Sequence, residues 1–137
     1  MEEIRAWTSG YCYRPDYCGW AYLIRYETEE GPFDVRDVDY SKGTTAHQMA
    51  LMAILQAIKK INDLPDKTDC KILIYSNNKR AVKCINGVYN CNARVVADYL
   101  DEIDWARGQL RIEFLLMSDW PFMKENNIVN KMAMNIK

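Results

Sequence analysis

The segment TTAHQMALMAILQAI, residues 44–58, decides how the rest of this chain is read. Neither Gly nor Pro interrupts it through Ile61, and Thr44 or Thr45 offers a side-chain oxygen to the free N–H groups of a first helical turn. The spacing predicts a helix over 44–61. Met49, Met52, Ala53, Gln56, Ala57 and Lys60 trace one face, and Leu51, Ile54, Leu55, Ile58 and Ile61 trace another. Both faces are mostly apolar, so the helix is expected to be buried on more than one side.

Towards the N-terminus, IRAWTS (4–9) reads as a strand closed by Gly10. GWAYLIRYE (19–27), dense in aromatic and branched residues, reads as a second strand. TEEGP then turns the chain into a third run, in which Phe33, Val35 and Val38 interrupt acids and Arg36, so these three strands are expected to form an antiparallel meander. On the other side of the helix, CKILIYS (70–76) is apolar apart from Lys71, the mark of a central strand. NNKRAVKCING (77–87) suits a short helix ended by Gly87, and NARVVADYLDEIDWA (92–106) a longer one capped by Asn92. LRIEFLLM (110–117) is a strand, and ENNIVNKMAMNI (125–136) places Ile128, Val129, Met132 and Ile136 on one helical stripe. The order β-β-β-α-β-α-α-β-α describes an α/β fold in one domain over residues 1–137. Its five-stranded mixed sheet has three antiparallel and two parallel strands, flanked by helices, with right-handed crossovers.

The chain has 137 residues, 49% hydrophobic and 27% charged, as an ordinary globular domain does. Its formal net charge is -1, whereas a protein that neutralises many phosphates usually carries a basic excess or stripe. Nucleic acid is therefore expected to be bound weakly at most. The cysteines at 12, 18, 70, 84 and 91 are odd in number and form no CxxC pair, which argues against a zinc site. With no secretory signal in MEEIRAWTSG, they read as thiols of a reducing compartment, cytoplasmic, or nuclear in a eukaryotic host. MALMAILQAI (49–58), the longest largely apolar run, is too short to span a membrane.

Four stretches in order then form a pattern: WTSGYC followed by GWAYLI, TTAHQMALMAILQAI, LIYSNNKRAV, and NNIVNKMA. Together they resemble the ribonuclease H family, in particular its cellular and viral single-domain enzymes. The resemblance implies the ribonuclease H-like fold. It also implies a site where acids on the first strand, first helix, fourth strand and last helix hold two divalent ions across a phosphodiester. In this sequence those four positions fall on Ser9, Ala50, Ser76 and Asn130, all neutral. Trp120 falls about where a loop His would be, and Ala46 and His47 where two substrate-contacting Asn residues would be. The expectation is thus a pseudoenzyme with no catalytic residue, metal or cofactor. Asp16 and Asp119 are the only loop acids read as able to approach the site. A Ser9–His47 or Ser76–His47 nucleophile would further need a base poised beside the hydroxyl and a carboxylate to orient it.

Two surfaces remain. Asn77, Asn78, Lys79, Arg80 and Lys83, with Arg94, Lys59 and Lys60 farther off, form a basic patch. The resemblance implies that nearby regions contact hybrid phosphates, while the flanking acids leave a merely solvated surface as the alternative. Trp120, Pro121, Phe122 and Met123 form an apolar loop, either a partner-binding surface or a segment folded back around Ala50. The function expected on these grounds is a non-catalytic binding, scaffold or regulatory protein. It would act mainly through a protein partner and be of viral or mobile-element type. The alternatives are a protein that recognises RNA–DNA hybrid or duplex backbone without cleavage, and a divergent metal-dependent nuclease with a rebuilt site.

Overall fold

A computed structural model describes residues 3–14, 16–65, 67–89 and 93–134, apart from the side chains of Arg14 and Met123. The strands are β1 (Glu3–Arg14), β2 (Tyr17–Thr28), β3 (Gly31–Ser41), β4 (Lys71–Ser76) and β5 (Ile112–Leu116). The helices are α1 (Ala46–Asn62), α2 (Lys79–Ile85), α3 (Arg94–Arg107) and α4 (Met123–Met134). The sheet runs in the order β3-β2-β1-β4-β5. β1–β2 and β2–β3 are antiparallel, while β1–β4 and β4–β5 are parallel, the mixed sheet expected from the sequence. Among the described residues, no helix is long and apolar enough to cross a membrane.

The twofold alternation of a strand sorts its side chains between two apolar layers. Ile4 and Ala6 of β1, Tyr22 and Ile24 of β2, and Ile72 and Ile74 of β4 pack with α1 on one face. Trp7, Leu23, Leu73 and Tyr75 point the other way and pack with Val129 of α4 and with Met117 and Phe122. A strand covered on both faces can be apolar at successive positions, which is why KILIYS shows no alternation. α1 is buried at His47, Met49, Ala50, Leu51 and six further positions to Ile61, so its broad apolar surface is used. Thr45 is its cap, accepting from the Gln48 N–H at 3.1 Å.

Several expectations need correction. Gly10 does not end the first strand: β1 continues to Arg14 and pairs Gly10 with Trp20 and Cys12 with Cys18. Its missing side chain serves packing, because a Cβ there would lie 2.5 Å from the Met49 carbonyl carbon and closer still to the Ala50 nitrogen. Cys12 and Cys18, directly opposed on the hairpin, form a disulfide, and Cys84 is disulfide-bonded as well, so the cysteines are not simply thiols. α4 begins at Met123 because the Asn126 N–H already reaches the Phe122 carbonyl at 2.9 Å. Asn92, Cys91 and Ile136 lie outside the described residues; α3 starts after Ala93, which makes no side-chain cap bond.

Candidate nucleic-acid interface

The parallel strands β1 and β4 end side by side, with Thr8 opposite Ser76 in register. Beyond that point the chain substitutes side chains for backbone. The Asn77 carboxamide accepts from the Gly10 N–H at 3.0 Å and donates to the Gly10 carbonyl at 3.0 Å, imitating one more peptide of β4. Asn78 then caps α2, its Oδ1 accepting from the Ala81 N–H at 2.9 Å. Two of the residues read as backbone donors are therefore engaged within the fold. Lys79 and Arg80 are exposed and Lys83 half-buried on α2.

The four neutral positions gather at this end of the sheet. The fully buried Ser9 hydroxyl donates to Asn130 Oδ1 of α4 at 2.8 Å, across 121 residues of sequence. Ser76 Oγ accepts from the Asn78 N–H at 3.2 Å. Ala50 is buried against Gly10 and offers no polar atom. A pair of divalent ions requires anionic oxygens to hold their mutual repulsion in check. An alcohol already bonded to an amide, a second alcohol and a methyl group do not fit that requirement. Asp16 is exposed at the hairpin turn and Asp119 is exposed after β5. Among the described residues, no three His, Cys, Asp or Glu side chains are grouped to hold a metal ion.

His47 sits in the first turn of α1, only 9% exposed, and neither ring nitrogen has a hydrogen-bond partner. It therefore pairs with neither Ser9 nor Ser76 as a base would. Burial, then the charge of Arg80, pushes its pKa below the usual value. Contact with the Asn78 side chain pulls the other way without reaching hydrogen-bond geometry. Because the folded pKa is lowered, the unfolded chain takes up the proton more readily. His47 then costs no stability above its unfolded pKa of about 6.5, and an increasing amount as pH falls below that towards the folded value. Denaturant midpoints compared between wild type and His47→Gln should converge on acidification, the variant losing less. A constant difference across that window would rule this out.

The late aromatic loop divides in two. Phe122 packs on Trp7 at 5.6 Å and Tyr75 at 5.3 Å between ring centres, on the α4 face of the sheet. The notion that the loop fills space around Ala50 is corrected, since Ala50 lies in the layer on the opposite face. Trp120 and Pro121 remain exposed, while the Met123 side chain is outside the described set. Trp120 rests edge-on against Tyr75 at 6.0 Å and borders a groove between α2 and β5. Sequence reading missed this groove, because its walls are separated by some thirty residues of chain and only the sheet joins them.

No family model matches the chain. Its sequence is similar to a ribonuclease HI of Xylella fastidiosa (strain 9a5c), 30% identical over 80 residues, which is 58% of this chain and 47% of that protein. The chain thus spans about half the length of the curated relative it matches. Among solved structures it is similar to LC11-RNase H1 in complex with an RNA/DNA hybrid, with a TM-score of 0.76, 18% identity and 97% of each chain covered. It is also similar to LC9-RNase H1, described as a type 1 RNase H with the type 2 active-site motif. There the TM-score is 0.80 and identity 13%, over 98% of this chain and 72% of that one. The chain is ribonuclease H-like, as its motifs implied, with the five-stranded mixed sheet of that fold. The expected non-catalytic scaffold working through protein contacts is overturned, together with the expectation that the chain is not an enzyme. The proteins it resembles are ribonucleases H, one of them solved on a hybrid, and they favour a nucleic-acid reading.

Proposed function

We propose that this chain binds RNA–DNA hybrid through the phosphate backbone, at the end of the sheet where β1, β4 and the start of α2 meet. The observation that carries the reading is electrostatic. Lys79, Arg80 and Lys83 take part in none of the ion pairs among the described residues, which join Arg5, Arg25 and Lys71 to acids elsewhere. The charge of Arg80 acts on His47, in the first turn of α1. Ser9, Ser76 and Asn130, at this end of the sheet, carry no charge to repel a phosphate. A net charge of -1 is compatible with this, because phosphates respond to the local field of such a cluster.

Titration of a labelled RNA–DNA hybrid at stepped salt tests the proposal. Each phosphate neutralised adds about 0.9 to the slope of log affinity against log salt on B-form duplex. The triple variant Lys79→Glu/Arg80→Glu/Lys83→Glu should lose detectable binding at moderate salt and flatten the slope by about 3. Wild type that fails to bind hybrid even at low salt would sink the proposal. The ribonuclease relatives favour a second reading, hydrolysis of the bound hybrid by a divergent metal-dependent site. The same mixtures incubated with Mg²⁺ or Mn²⁺ and run on a denaturing gel decide it, by cleavage or by an intact strand.

A further inference from the structure

The groove bordered by Trp120 encloses about 760 Å³, within the range of small-molecule sites but far too small for a duplex. One wall is α2, with Lys79 and Lys83 four residues apart and so on the same side of the helix. The other is the end of β5, where Leu115 and Leu116 lead into the 3-10 turn at Met117–Asp119 and then Trp120. Both walls are fixed. Asn86, at the end of α2, donates to the Phe114 carbonyl of β5 at 3.1 Å, and Trp120 is braced by Tyr75. Trp120 still keeps 43% of its surface exposed. Asp119 is the groove's one acid against two lysines, leaving it cationic.

A rigid, exposed indole beside two cations matches one chemical class, a nucleotide strand, whose bases stack and whose phosphates are anionic. A peptide of acidic residues would satisfy the lysines and leave the indole without a flat partner. The groove also continues the proposed interface, since α2 follows directly on Ser76, Asn77 and Asn78. We infer that the groove between α2 and β5 holds a single-stranded tail running off the hybrid, with a base stacked on Trp120 and its phosphates on Lys79 and Lys83. This rests on the hybrid-binding proposal. It adds a preference that proposal lacks: a junction between hybrid and single strand should bind better than a blunt end.

The test compares one blunt hybrid with the same hybrid carrying a short unpaired tail, RNA or DNA, at either end, all at one salt concentration. Stacking contributes about 1–3 kcal/mol per base, so at least one tailed probe should bind wild type about fivefold tighter or more. Trp120→Ala should remove that gain and leave blunt-hybrid affinity unchanged, whereas Trp120→Phe should retain most of it. Lys83→Glu should weaken both probes through the hybrid backbone but the tailed one more, so the ratio between them still falls, which keeps the test decisive if Trp120→Ala melts early. Equal affinities for blunt and tailed probes, or a gain that survives in Trp120→Ala, overturn the groove assignment while hybrid binding stands. Failure to bind any of the probes at low salt overturns both.

Discussion

Gly10→Ala is expected to lower stability by about 3 kcal/mol or more, a large share of the 5–15 kcal/mol typical of a domain. The added methyl would meet the backbone of α1 at Met49 and Ala50, including the Ala50 Cα at 2.6 Å. Backbone atoms cannot swing aside as the end of a flexible side chain can. The helix would have to rise from the sheet, opening the layer where Ala50, Leu51 and Ile54 meet β1. Gly10 is also held from both sides, by Trp20 in the β1–β2 ladder and by the Asn77 amide, so the strand cannot retreat instead. Thermal melting followed by circular dichroism should show a midpoint lower by roughly 10 °C. A variant melting within a degree or two of wild type would show that α1 yields more easily than this packing implies.

Gly10 also shows where sequence reading stops. The alternation in β1 and β2, the apolar run of β4 and the two apolar faces of α1 are local patterns with one physical solution, a helix-covered mixed sheet. Their order sufficed for the fold. Gly10 beside Met49 and Ala50 is a contact between distant segments, and nothing in TSGY distinguishes a glycine that turns from one that lets a helix approach. The same limit hid the Trp120 groove and the face of the sheet on which Phe122 packs. The pairing of Ser9 with Asn130 was foreseeable only through the family pattern, which sets both positions at one site. Net charge is blind to placement for a related reason: a sum over the chain conceals that Arg25 and Lys71 are paired, while Lys79, Arg80 and Lys83 take part in no ion pair among the described residues.

The second large effect is expected from putting acids back. Ser9→Asp with Ala50→Glu places two carboxylates at positions that are wholly buried, one beside Asn130 and the other against the β1 backbone. A buried unpaired charge typically costs several kcal/mol. The variant should therefore melt well below wild type at neutral pH. Its deficit should carry a titration signature. Burial and mutual repulsion raise both folded pKa values above the unfolded values of about 4, so the charge penalty grows as pH rises from there through the folded values. On acidification the carboxyls protonate in the folded state first, and the gap to wild type should narrow. A gap that is the same at about pH 4 and about pH 8 would point to steric misfit instead. Adding Ser76→Asp and Asn130→Asp places acids at all four positions. If the backbone still has the spacing of a metal cage, Mg²⁺ should then restore much of the lost melting temperature, because ligand binding to the folded state alone stabilises it. No response to Mg²⁺ would mean that the backbone at this end of the sheet does not have the spacing of a metal cage.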